Sequence, residues 1–211
     1  MRYETIIFDL DGTISDPFVG ISRSINFALE ALDHQAVDPE QVRPLIGPPL
    51  TEIFEFLLGP LPRSKLDKLV DLYRDRYARV GYAENRLYDD IPDIVESLSR
   101  AGYVLGVCTS KRGDYATRII EMFGLSQFFS FVDGGAGMDK RQQIRQLIRN
   151  GIVGDSAIMV GDRAMDIDAG KSNALASAGV LWGFGERNEL VNADPDYILE
   201  EPAELLHLLI D

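Results

Sequence analysis

A series of short apolar runs constrains this chain most strongly: residues 5–8, 103–108, 128–132, 157–160 and 178–181, with a weaker run near Tyr197. A strand exposed on one face alternates apolar and polar residues, whereas a strand covered on both faces is apolar almost throughout. The segments at 91–101, 115–123, 141–150 and 165–172 carry helical spacing, and Gly102 and Gly124 follow two of them as helix stops. Buried strands alternating with helices predict an α/β fold with a doubly wound, mostly parallel, Rossmann-like sheet core.

The interval between the first two runs breaks that alternation. It is helical by pattern and shows no clear strand. Ile21, Ile25, Ala28, Leu29 and Leu32 form one apolar stripe, and Leu66, Leu69, Val70, Tyr73 and Tyr77 form another. Asp16-Pro17 can start a helix, while Pro44, Pro48-Pro49, Pro60 and Pro62 divide the rest of the interval into short pieces. The expected organisation is an α/β core from residues 1–15 and 83–211, with a small helical cap domain inserted at 16–82.

Composition narrows the function. With 45% hydrophobic and 26% charged residues, the chain reads as an ordinary globular protein. No apolar run reaches membrane-spanning length and no leader is visible, so a cytoplasmic location is expected. The balance of 21 Lys plus Arg against 34 Asp plus Glu gives a net charge of −13, which opposes nucleic-acid and anionic-membrane binding. An anionic substrate then needs a local cationic site. The single cysteine, Cys108, lies in an apolar run and reads as a buried structural thiol.

Ligands of open parallel sheets bind at the carboxyl ends of the strands. At those ends stand Asp9 and Asp11, then Thr109-Ser110-Lys111, then Gly161-Asp162 followed by Asp166; Lys140 follows the loop Gly134-Gly135-Ala136-Gly137. Asp9 and Asp11 share a side if the backbone stays extended between them. Two carboxylates held close are tolerable if a divalent cation lies between them or if one keeps its proton. Asp-Gly is also a common turn dipeptide, so the pair alone does not decide.

Together these residues resemble the haloacid dehalogenase-like hydrolases across essentially the whole chain. Phe8-Asp9-Leu10-Asp11-Gly12-Thr13 stands as the first motif, Thr109-Ser110-Lys111 as the second, Lys140 as the third and residues 161–166 as the fourth. Ile46-Gly47-Pro48-Pro49-Leu50 and the stretch 180–185 resemble the phosphoglycolate-phosphatase and 5′-nucleotidase-like branch, with its helical cap.

The resemblance implies an Mg²⁺-dependent phosphomonoesterase working through an aspartyl-phosphate. Asp9 is implied as nucleophile and Asp11 as general acid/base. Thr109, Ser110, Lys111, Lys140 and Gly12 are implied around the phosphate. The metal ligands would be Asp9, the Asp11 backbone carbonyl, Asp162, and Asp166 through water. Arg43 in the cap is a candidate for a substrate carboxylate or second phosphate.

Asp168, Arg141, His34 and His207 are assigned to surface or packing. Trp182 and Phe184 are expected to pack beside the sheet edge. The expected partner is a small phosphomonoester, with a nucleoside 5′-monophosphate slightly favoured over 2-phosphoglycolate, and a monomer or weak homodimer is expected. A phosphosugar mutase, a dehalogenase, and a non-enzymatic phosphate-binding or signalling protein are alternatives. A phospho-acceptor receiver also gathers acids, a Thr and a Lys on such a sheet, but it has no helical cap.

Overall fold

The computed structural model describes residues 3–135 and 138–210. Ala136 and Gly137 of the glycine-rich loop lie outside the described residues. The chain divides into two compact units: Met1–Asp16 with Leu87–Asp211, and Pro17–Arg86.

The first unit is built on six strands: β1 (Thr5–Phe8), β2 (Val104–Thr109), β3 (Phe129–Gly134), β4 (Ala157–Gly161), β5 (Ala176–Val180) and β6 (Tyr197–Leu199). They lie in the order β3-β2-β1-β4-β5-β6, and each neighbouring pair is parallel. The chain steps outward from β1 through β2 to β3, then returns to the other side of β1 with β4. That reversal places the topological switch point between β1 and β4, the position at which open parallel sheets bind their ligands.

β1 is buried along its whole length. Ile7 packs with Ile144 and Leu147 of the helix Lys140–Arg149 and with Met159 and Ala169. Phe8, pointing the opposite way, meets Phe129 edge-on at 6.3 Å. Continuous hydrophobicity in the run is thus the mark of cover on both faces.

Four strands differ from their expected bounds, β2 and β4 by a single residue at an end, β3 and β5 by up to two. β5 begins earlier, at Ala176, because Ser177 enters the sheet fully buried, its N–H and hydroxyl both directed to Asp196 Oδ2 at 2.8 and 3.3 Å. β3 runs on to Gly134, where Asp133 and Gly134 register with Cys108 and Thr109. Polar and glycine residues hid these ends from an apolar pattern.

The second unit contains the helices Phe18–Glu30, Pro39–Val42, Leu50–Leu58 and Arg63–Arg79, with 3-10 turns at Arg43–Leu45 and Gly81–Glu84. The stripe Ile21, Ile25, Ala28 and Leu29 is buried, as is Leu66, Leu69, Val70, Tyr73 and Tyr77, and the two long helices pack together. A Cβ at Gly20 would stand 2.1 Å from the Gly81 carbonyl oxygen, so this approach admits only glycine. Beside it Arg76 donates to Ser24 Oγ at 3.0 Å and to both oxygens of Glu84 at 2.9 and 3.2 Å, while Arg23 reaches Glu84 at 2.7 Å. The connecting segments Ser15–Asp16 and Arg86–Leu87 form a two-stranded sheet. No helix among the described residues is long and apolar enough to cross a membrane.

Candidate active site

The Asp9 N–H donates to the Val160 carbonyl at 2.9 Å, so strand pairing persists one residue beyond β1 and delivers Asp9 to the switch point. The chain then turns sharply: the N–H groups of Ile14 and Ser15 both donate to the Leu10 carbonyl at 3.0 Å. Gly12 takes a φ of +88° in this turn, and a Cβ there would lie 2.2 Å from Asp162 Oδ2. Only glycine satisfies both the backbone and the space.

β4 delivers Asp162 from the other side of the switch point. The helix Ala164–Lys171 then brings round Asp166, and both carboxylates are fully buried. Asp166 Oδ2 accepts from the Arg163 N–H at 3.0 Å, while its Oδ1 contacts the Lys140 ammonium. Lys140 opens its helix behind the cap residue Asp139, whose side chain accepts from the Arg141 N–H at 2.9 Å. Its Nζ lies 3.0 Å from Asp9 Oδ1, with the side chain 1% exposed.

Buried Lys140 pairs with Asp9 and Asp166, and the buried carboxylate of Asp162 clusters with theirs. Burial, with repulsion from Asp166 and Asp9, drives the Asp162 carboxyl well above its ordinary range. Burial also pushes Asp166 up to about 6, against the pull of Lys140. Burial alone would lower the Lys140 pKa, but the carboxylates of Asp166 and Asp9 outweigh it and raise it.

One oxygen each from Asp9, Asp162 and Asp166 lies within 4.8 Å of the others. Asp9 Oδ1 and Asp162 Oδ1 are buried without a hydrogen-bond partner among the described residues, since Lys140 approaches Asp9 closely but out of hydrogen-bond alignment. Orphaned carboxylate oxygens with excess negative charge suit a hard divalent cation, and an all-oxygen set fits Mg²⁺.

Asp11 differs from Asp9. Lys111 is turned inward, its side chain 8% exposed, with Nζ 2.6 Å from Asp11 Oδ2. Burial nevertheless raises the Asp11 pKa, with Asp9 adding to the rise and Lys111 opposing it. Thr109 ends β2 buried, its Oγ1 accepting from the Lys111 N–H at 3.3 Å; Ser110 is exposed, its Oγ 3.9 Å from Met165 Sδ.

Arg43 belongs to the helical unit, its guanidinium 3.9 Å above the Phe18 ring and its Nε 3.0 Å from Glu40. Asp168 pairs with Arg141 at 2.9 Å on the surface. His207 is exposed and His34 half-buried. Cys108 is buried and donates to Gln143 Oε1 at 3.2 Å; burial pushes its thiol up to about 12.

Sequence reasoning missed two groups. The Phe184 N–H donates to Asp162 Oδ2 at 2.8 Å, and Glu189 Oε1 accepts from both Arg163 Nε and the Ala164 N–H at 2.9 Å. Gly183 and Gly185 around Phe184 were the available signal for the first; a lone glutamate in the helix Arg187–Ala193 gave none for the second.

An acidic cluster around one buried lysine at the switch point of a parallel sheet, on a chain with a helical insertion after β1, is the arrangement of the haloacid dehalogenase-like class. The haloacid dehalogenase-like hydrolase family matches residues 6–180, and the chain belongs to that family. It is 36% identical to a 5′-nucleotidase from Pseudomonas aeruginosa, covering 99% of this chain and 96% of that protein. It is 33% identical to the pyrophosphatase PpaX of Bacillus velezensis (98% and 96% covered) and 28% identical to a phosphoglycolate phosphatase of Vibrio parahaemolyticus (97% and 95%). Among solved structures, a haloacid dehalogenase-like hydrolase from Streptococcus pneumoniae superimposes with a TM-score of 0.91 at 29% identity, with 98% of each chain covered.

Proposed function

We propose that the protein is an Mg²⁺-dependent phosphomonoesterase that acts on a small phosphorylated metabolite through an aspartyl-phosphate. The observation that carries this reading is the Lys140 ammonium, buried between Asp166 and Asp9, with Asp162 Oδ1 left unpartnered among the described residues in the same carboxylate cluster. Asp9 and Asp162 would hold the metal directly, with the Asp11 carbonyl and, through water, Asp166. When bound, Mg²⁺ supplies charge that offsets the phosphoryl oxygens against the surrounding carboxylates.

Asp9 attacks phosphorus while the bond to the leaving alkoxide breaks, and Asp11 gives that alkoxide its proton. Water then attacks the aspartyl-phosphate, returns a proton to Asp11 and releases inorganic phosphate. The raised pKa of Asp11 supports its role as proton carrier. Lys140 holds Asp9 in position and, with the Thr109 hydroxyl and the Ser110 backbone amide, stabilises charge on the phosphoryl oxygens; the Gly12 N–H is held by the Ser15 carbonyl at 2.8 Å, so Gly12 shapes the turn instead. Lys111 orients Asp11 and adds a second cation. Asp166 orients Lys140 through Oδ1, while its Oδ2 is held by the Arg163 N–H.

The likeness to a 5′-nucleotidase supports nucleoside 5′-monophosphates ahead of 2-phosphoglycolate. We assign Arg43 to an anionic group of the substrate remote from phosphorus. A phosphate-release panel of nucleoside monophosphates, sugar phosphates, phosphoglycolate and pyrophosphate, with Mg²⁺ and with chelator, tests the reading. Chelator-sensitive release from a nucleoside monophosphate is expected, and release unaffected by chelator contradicts it.

A further inference from the structure

We infer that residues 182–185 form a positioning strap that fixes Asp162 so that one chosen carboxylate oxygen faces a divalent cation; this rests on the proposed function of that site. A carboxylate torsion is broad and two-fold, so an unrestrained aspartate can offer either oxygen. Here the Phe184 N–H occupies Oδ2 at 2.8 Å, while Oδ1 is buried and unpartnered among the described residues, in a carboxylate that clusters with those of Asp9 and Asp166. The amide therefore decides which oxygen is free.

The strap also grips the loop after β1. Trp182 Nε1 donates to the Thr13 carbonyl at 3.0 Å, in the turn that carries Asp11. A Cβ at Gly183 would lie 2.3 Å from the Gly12 carbonyl oxygen and 2.5 Å from Asp162 Cβ and Oδ2, and one at Gly185 would lie 1.7 Å from the Asp162 carbonyl oxygen. Gly183 does not have a positive φ, so it is the space against the Gly12 carbonyl and Asp162 that excludes a side chain. A single segment thus ties the loops after β1 and β4 together at the switch point. Trp182 and Gly183 act through Asp162 and Thr13, as positioning residues.

The test is a Mn²⁺ titration of the whole protein by electron paramagnetic resonance, without substrate, on wild type, Trp182→Phe and Gly183→Ala, alongside melting of each metal-free protein. Disturbing groups that orient a metal ligand costs about 10–100-fold in affinity. Gly183→Ala is expected to weaken Mn²⁺ binding by roughly tenfold or more and Trp182→Phe by a smaller factor, with kcat recovered at high Mg²⁺. Variants that melt earlier but bind Mn²⁺ as wild type does would reduce the strap to packing and overturn the inference. Should Gly183→Ala fail to fold, unchanged affinity in Trp182→Phe overturns it alone. Wild type that binds no Mn²⁺ would overturn the metal reading of the site itself, an outcome distinct from equal affinities.

Discussion

Lys140 Nζ stands 3.0 Å from Asp9 Oδ1, and both groups are withdrawn from solvent at the switch point of the sheet. Lys140→Met should lower kcat by about 10²–10³, the usual loss when one preorganised donor to a transition-state anion is removed. Truncating one partner of a buried ion pair also costs about 3–5 kcal/mol, because the other charge is stranded. Urea denaturation without metal should show that loss, and Mg²⁺ should restore part of it by neutralising Asp9 and Asp166.

Asp11 and Asp9 should fail differently when replaced. Loss of a general acid costs about 10²–10⁴ in rate, and least where the leaving group needs no proton. Asp11→Asn is expected to cripple hydrolysis of an alkyl phosphate more than that of p-nitrophenyl phosphate, whereas Asp9→Asn abolishes both. Parallel kcat/KM measurements on the two substrates check this, and equal losses in Asp11→Asn would remove its proton-carrying role.

In the helical unit, Glu84 bridges Arg76 and Arg23. Burial tends to raise its pKa, but the hydrogen bonds and charges of Arg76 and Arg23 outweigh burial and hold it below 4.5. A depressed carboxyl contributes stability that is fully present above its unfolded pKa and is lost as pH falls through the folded value. Glu84→Gln should therefore destabilise the protein at pH 7 by about 1–3 kcal/mol, and the gap from wild type should close as pH falls below 4.5. Chemical denaturation at several pH values reads both effects.

Much of this architecture is legible in the sequence because buried parallel strands carry an unbroken apolar signature. Thr5–Phe8 shows it without interruption, and its end locates Asp9. Ser177 and Asp133 show where it fails: a serine satisfied by Asp196, and an acid at a strand end, read locally as loop. Among site groups, Asp9, Thr109, Lys140, Asp162 and Asp166 could be gathered from strand ends and helix starts. The Phe184 amide left only the indirect mark of Gly183 and Gly185 on either side, since a backbone donor has no residue type, and Trp182 suggested packing while its indole N–H holds Thr13. The inward turn of Lys111 depends on Asp11 across the sheet edge, a contact made only by the fold.

The buried thiol offers a check on the core around the site. Cys108, with its pKa raised to about 12 by burial, should resist iodoacetamide at pH 8 in the native protein and react once the chain is unfolded. Rapid labelling of native protein would contradict the packing of Cys108 against Gln143.

Asp9 as carrier of the phosphoryl group is tested most directly by acid quench of the enzyme during turnover of a phosphomonoester with Mg²⁺. Mass spectrometry of the peptide containing residues 3–16 then compares wild type with Asp9→Asn. One phosphoryl group is expected on Asp9 in wild type, and in Asp9→Asn neither adduct nor phosphate release. Full phosphate release by Asp9→Asn would contradict the aspartyl-phosphate mechanism.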